Sequence, residues 1–480
     1  MLPEPVPQKR IVGYYFGFES LDITKCQLEK LTHAVFGFLE ITPEGNIIFP
    51  SAEAAMRYYD LKEKSKEVKN DLKLMISIGG PEYSENFSSL IVDPVKRKML
   101  ITNISKFIEK TGSDGIDISW KWPKQSEKSA YSSFFKELRN DMKLQQKQHL
   151  ISVLVPPVDI GRWEAGFDFN EILKYVDFFN VFTMYYYGPW ANQSGALVGP
   201  TAPLCKTCPE ERKNFNIDHT LDYYIQKTGE PEKLNMVIPF FARLWKNVGD
   251  PVEPYQFGIR WAEMKDGKAE GNPYMSRWTM KNEGWDTWGM QWDNKTQTSF
   301  LHNPEKRTYL SLETKDSIEE KMNYADYKKL GGIWIWSVDM GDETNCLLKY
   351  VYSYNQKGKA QISKETLNSA PKTACSTIEK TSKAVLKSSP EKRVIGYYSE
   401  NEYTEITTDQ LQKLTHVVFA YIQMNSDGSL EFKNDHIKNR FFDLKNKSKS
   451  VSKTMVSFGA EESSSYFDMV LKQLEKSRGR

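Results

Sequence analysis

Asp114, Asp117, Ser119 and Lys121 fall within eight residues, in the stretch Asp114-Gly-Ile-Asp-Ile-Ser-Trp-Lys-Trp-Pro123. Ile116 and Ile118 alternate there with Asp117 and Ser119, and successive strand side chains point to opposite faces. Asp117, Ser119 and Lys121 therefore share one face, and Trp120 and Trp122 the other. Carboxylates delivered in a row by one strand can do general acid–base chemistry on a bound substrate. Here the row opens on carboxylates and closes on an ammonium. Pro123 cannot continue a ladder and ends the strand.

Such a row needs a scaffold. Apolar runs recur at Arg10–Tyr15, Thr32–Leu39, Leu72–Gly80, the stretch above, His149–Val155, Val176–Met184, Lys233–Pro239 and Gly331–Ser337. Helical spacing separates them, as at Met56, Tyr59, Leu61 and Val68. Eight strands alternating with helices predict an α/β fold, a parallel (β/α)8 TIM barrel whose site lies at the C-terminal ends of its strands. The gap between Trp245 and Leu330 is too long for a simple connection. Trp261, Trp278, Trp285, Trp288 and Trp292 lie in it, and we read them as the core of that region.

In combination the motifs resemble glycoside hydrolase family 18, the chitinases. They are Thr32-His33, Ser77-x-Gly79-Gly80, the signature strand, strand six, Pro239-Phe-x-x-Arg243 and Gly331-Gly332-x-x-x-Trp336. The family signature is Asp-x-x-Asp-x-Asp-x-Glu followed by Tyr-Pro. Asp114 and Asp117 match its first two acids, Ser119 replaces the third, and Lys121 replaces the catalytic Glu. The resemblance implies a barrel over residues 10–354, with a small α+β insertion at about 246–320 between strands seven and eight. It also implies a substrate-assisted mechanism. The Glu protonates the glycosidic oxygen, the sugar's own acetamide attacks, the preceding Asp orients that acetamide, and a strand-six Tyr-Asp pair assists. Strand six reads Val181-Phe-Thr-Met-Tyr-Tyr-Tyr-Gly188, so Met184 takes the Tyr position and Tyr185 the Asp position.

No competent catalytic set remains in that frame. A cation about 5 Å from a transition state that develops positive charge costs on the order of 3 kcal/mol at an effective dielectric near 20, about a hundredfold in rate. Loss of the general acid costs a further ~10²–10⁴-fold. Lys121 is read as exposed, paired with Asp117, or in contact with a ligand; Asp114 and Asp117 are read as structural. Sugar binding is a separate question. By resemblance Trp336 is the floor of the central subsite, with Phe38, Arg243 and Tyr186 beside it. An indole face suits the apolar face of a pyranose. Pro81 stands where the family carries a further tryptophan. The expected function is a catalytically inactive, chitinase-like protein binding chitin or another N-acetylglucosamine-containing glycan. The alternatives are a protein-interaction scaffold that binds no sugar, or an active family-18 hydrolase of another substrate.

From Asn355 to Lys392, Lys, Ser and Thr dominate, a linker composition that predicts disorder. The chain then begins again. Arg393–Tyr398 repeats Arg10–Tyr15, Leu411–Phe419 repeats Leu28–Phe36, and Lys453–Gly459 repeats Lys73–Gly79. Residues 393–480 thus read as a truncated second repeat of three strands. Three strands cannot close a barrel, and a protein partner that covers them is part of this reading. Among 480 residues, 65 Lys and Arg nearly balance 63 Asp and Glu, which gives no reason to expect a nucleic-acid partner. No apolar run is long enough for a membrane helix. The N-terminus lacks the apolar core of a signal peptide, although the family is usually secreted. No cofactor is expected. Cys205-Lys-Thr-Cys208 has the spacing of a metal or redox pair, but it lacks the further ligands that zinc needs, so no metal is expected. Asn86, Asn103, Asn192, Asn294 and Asn446 open glycosylation sequons.

Overall fold

The computed structural model describes residues 9–360 apart from 18–20, 69–70, 146, 208, 254–255, 257, 286, 288 and 342–343. Between 394 and 458 it describes all but 400–405, 425–429, 433 and 449–451. These fall into two compact units, divided near Lys380.

The first unit is a closed parallel barrel. Its strands are β1 (Arg10–Tyr15), β2 (His33–Ile41), β3 (Lys73–Gly79), β4 (Gly115–Ser119), β5 (Leu150–Val155), β6 (Phe178–Val181), β7 (Leu234–Pro239) and β8 (Gly332–Trp336). Each pairs with its sequence neighbours, and β1 pairs with both β2 and β8, which closes the ring. The strands read as near-continuous apolar runs because helices cover their outer faces while other strands' side chains fill the inside. Local signals set where β4 begins. Asp93 caps the helix Pro94–Thr111, accepting from the amides of Val95 and Lys96, with Pro94 at its first position. Gly112 ends it in the left-handed region at φ 68°. Gly115 then enters the sheet where a Cβ would lie 2.4 Å from the Leu150 carbonyl oxygen, so only glycine fits.

The insertion begins earlier than the sequence suggested. Ala242–Trp245 already belongs to an antiparallel sheet ordered 271–275, 242–245, 308–311, 298–303, 291–293. The chain re-pairs almost at once after β7, and the helix Lys315–Tyr327 is a barrel helix. The expected role of the tryptophans also needs correction. The insertion core is Ala242, Leu244, Met275, Met280, Leu310 and Leu312, with Trp285 packed against it. Trp261 is exposed, and Trp278 and Trp292 are half-buried. Trp288 lies outside the described residues.

The helix Cys346–Ala360 runs past the expected boundary at 354. The rest of the linker reading, over residues 361–392, lies outside the described residues. In the second unit, Ile395–Ser399 and Lys453–Phe458 flank His416–Met424 in parallel. Its small core includes Leu411, Val417, Phe419, Ile437 and Leu444. Ile395 and Tyr397 are 48% and 73% exposed, whereas their sequence counterparts Val12 and Tyr14 are fully buried inside the barrel.

Candidate functional site

The four residues of the β4 row separate by depth. Asp114 lies at the foot of the barrel, accepting from the Leu74 amide at 2.7 Å and pairing with Lys147 at 2.6 Å. Asp117 is in the sealed interior. Ser77 and Ser152 donate to its carboxylate at 2.7 Å each, and Asn180 at 3.3 Å. Tyr14 also faces it and accepts from Asn180 at 2.9 Å. Burial pushes the Asp117 carboxyl up, and the donors around it push back. A polar thread continues downward: Asn235 donates to Asn180 at 2.9 Å, and Arg10 donates to Asn235 at 3.0 Å. Ser119 is fully buried, and its hydroxyl has no hydrogen-bond partner among the described residues.

Above Ser119 the alternation fails. β4 stops there, and the Lys121 amide donates to the Ser84 hydroxyl at 3.1 Å instead of to a neighbouring strand. Trp120 packs outward against Phe87, with ring centroids 5.3 Å apart, and against Tyr131 at 5.1 Å. Trp122 lies 5.9 Å from Phe182 and stacks on Trp163 at 5.7 Å, on the cleft side. The two tryptophans do not share a face, as strand geometry had suggested.

Lys121 does not pair with Asp117. Its Nζ lies 4.4 Å from the Phe182 ring centroid, 5.3 Å from Trp336 and 5.9 Å from Trp122. Among the described residues no carboxylate lies within ion-pair distance of it. The residue is half-buried, with three rings around its ammonium. That desolvation pushes its pKa down from 10.5 to about 7.

The segment after β6 supplies the next wall. Met184 is fully buried. Tyr185 takes a left-handed backbone, φ 67°, which turns its ring onto Arg243 at 4.1 Å. Trp190, Phe241 and Tyr274 complete the enclosure of that guanidinium at 4.4, 5.3 and 5.6 Å. Arg243 donates to the Tyr187 carbonyl, and burial pushes its pKa down to about 10. Among the described residues no carboxylate pairs with it. Tyr186 points elsewhere: its hydroxyl bonds Thr220 at 2.6 Å on the helix Ile217–Thr228, which places it behind the cleft.

Trp336 forms a floor, but a covered one, 5% exposed. Phe16 lies 4.7 Å away, Tyr14 5.7 Å, Phe38 5.9 Å and Phe182 6.4 Å. Phe38 lies directly against Gly80, where a Cβ would fall 2.4 Å from its ring. Pro81 is exposed beside it.

An open cleft of about 610 Å³ lies to one side, lined by residues 121–125 and 161–165. Sequence reasoning missed its main features, Trp163 and Glu164, and also Phe16 and Phe182. The available signal was position. All four follow the C-terminal end of a barrel strand, where the βα loops of this fold build their sites. Cys205 is disulfide-bonded, and Cys208 lies outside the described residues. Among the described residues no cluster could hold a metal, and no helix is long and apolar enough to cross a membrane.

Residues 10–341 and again 393–480 match the model of Glycosyl hydrolases family 18. Probable chitinase 2 of Drosophila melanogaster is 26% identical over 356 residues, covering 69% of this chain and 70% of its own. Human Chitinase-3-like protein 2 is 23% identical over 330 residues, covering 65% and 80%. Among solved structures, the Ostrinia furnacalis Group IV chitinase in complex with allosamidin superposes with a TM-score of 0.61 at 22% identity, over 73% of this chain and 99% of that one.

Proposed function

This chain belongs to family 18 of the glycosyl hydrolases, and from that premise we propose that it binds N-acetylglucosamine-containing glycans without hydrolysing them. One observation carries the reading. Where the family signature ends on its acid, an unpaired ammonium sits enclosed by Trp122, Phe182 and Trp336. Beneath it Ser119 offers a hydroxyl where the family orients the acetamide with a carboxylate, and Tyr185 packs on Arg243 where the family has an Asp. A cation opposes the oxocarbenium-like transition state, and neither Ser nor Tyr can hold the charged ring that the acetamide would form. The relatives and solved neighbours named as chitinases support the glycan class.

Incubation with chitotetraose, followed by product chromatography, tests this. The expected result is no product from the native chain and none from Lys121→Glu. Among the described residues, the one carboxylate lining the open cleft is Glu164. Product release that disappears in Glu164→Gln would replace this reading with an active hydrolase. A second reading, a scaffold that binds no sugar, is favoured by the covered floor at Trp336. Saturable quenching of tryptophan fluorescence by chitotetraose would end that second reading.

A further inference from the structure

The cleft beside the covered floor has a construction of its own. Two loops make it, one following β4 and one following β5, and they are locked together. A Cβ on Gly166 would lie 2.0 Å from the Pro123 carbonyl oxygen, so the second loop can approach the first only with glycine there. Gly161, at φ 65°, lets the Trp163 indole lie against its own backbone, 2.6 Å from where a Cβ would be. Asp159 and Arg162 also hold left-handed backbones, at φ 62° and 54°. Asp159 anchors the loop through His219 at 2.8 Å and Asn214 at 3.1 Å. The outcome is Trp163, 37% exposed, stacked on Trp122 at an interplanar angle of 24°. This open indole is large enough to seat a pyranose, which the covered Trp336 is not.

The charge around that platform is lopsided. Lys121, Lys124 and Arg162 line the cleft against Glu164 alone. Among the described residues none of the three cations forms an ion pair. Glu164 is itself half-buried, one of its carboxylate oxygens has no hydrogen-bond partner among the described residues, and burial raises its pKa. A neutral chitin fragment would stack on Trp163 and leave Lys121 uncompensated. A sugar carrying a carboxylate would stack and also supply the missing counter-charge.

Resting on the glycan-binding reading above, we propose that this cleft takes a carboxylate-bearing oligosaccharide. Trp163 on Trp122 is the platform, and Lys121, Lys124 and Arg162 are the charge that selects an acidic sugar over a neutral one.

The experiment uses the full chain and two probes, a hyaluronan tetrasaccharide and chitotetraose, titrated calorimetrically at low and high salt. The acidic probe should bind about tenfold or more tightly than the neutral one at low salt, and most of that advantage should vanish at high salt. Trp163→Ala should weaken both probes about tenfold, with Trp163→Tyr restoring much of the loss. Arg162→Ala should weaken only the acidic probe. Trp336→Ala, where its melting curve shows that it folds, should cost either probe less affinity than Trp163→Ala does. Equal affinity for the two probes, or acidic-probe binding that salt does not weaken, overturns the proposal. Chitotetraose binding that depends on Trp336 and ignores Trp163 also overturns it, while leaving the glycan-binding reading intact. If neither probe binds, both readings fail together.

Discussion

Replacing Lys121 with Met should make the protein more stable, and the gain should depend on pH in a defined direction. The ammonium is desolvated by three rings and has no carboxylate to offset that cost. In the unfolded chain it titrates near 10.5, and in the fold near 7. Between these values the unfolded state binds more protons than the folded state, so this group's contribution to stability rises with pH. Below the folded pKa both states are charged, and the folded state carries the whole penalty. That penalty is at most ~4.8 kcal/mol, from a shift of about 3.5 at 1.36 kcal/mol per unit. The side chain is partly exposed, and ring faces attract a cation, so roughly half, about 2 kcal/mol, is the figure to test. Met is unbranched and fits among aromatic rings without a charge. The assay is urea denaturation of native chain and Lys121→Met, followed by fluorescence, from pH 6 to 10. The variant should be about 2 kcal/mol more stable at pH 6, and the gap should close as pH approaches 10. A gap absent at pH 6, or unchanged at pH 10, would refute the argument that the ammonium is desolvated and unpaired.

Asp117→Asn should destabilise the barrel by about 2–4 kcal/mol in the same assay, because an amide nitrogen cannot accept from the surrounding hydroxyl and amide donors; a loss under 1 kcal/mol would mean the network rearranges freely. Gly80→Ala should cost about 2 kcal/mol or more in thermal unfolding and displace Phe38, since it puts a Cβ 2.4 Å from that ring at φ 79°; an unchanged melting temperature would contradict the close approach. Limited proteolysis of the full chain should cut first between 361 and 393, leaving a resistant fragment that contains the barrel, with the second unit degraded; a resistant 394–480 fragment with its own cooperative melt would show that unit stable by itself. Titrations of the acidic probe should weaken between pH 6 and 8 as Lys121 loses its proton, while those of the neutral probe should not.

All eight barrel strands were legible in the sequence to within a few residues, because a strand buried on both sides must be an apolar run and the helices between must repeat at their own period. The insertion edge was misjudged by a few residues because the pairing partners of Ala242–Trp245 lie far along the chain. In the site, the positions of Asp117, Ser119 and Lys121 along the chain were legible, but their surroundings were not. Strand alternation says which face a side chain takes only while the strand lasts, and β4 ends two residues before Lys121. Tyr186 was misplaced for a similar reason: the left-handed turn at Tyr185 redirects the next side chain away from the cleft. Trp163 carried no motif at all. Its importance comes from a neighbour forty-one positions earlier, Trp122, and from glycines that let two loops touch.

The enclosure of Arg243 constrains which residues its neighbours can be. Four aromatic rings now occupy the space around that guanidinium, Tyr185 nearest among them. Putting an Asp at 185 would restore a counter-charge but leave a hole among Phe182, Trp190, Phe241 and Tyr274. Putting a Glu at 121 would push a carboxylate against the electron-rich faces of Phe182 and Trp336. On the reading proposed above, neither substitution alone gains an acid without disturbing the rings packed around it.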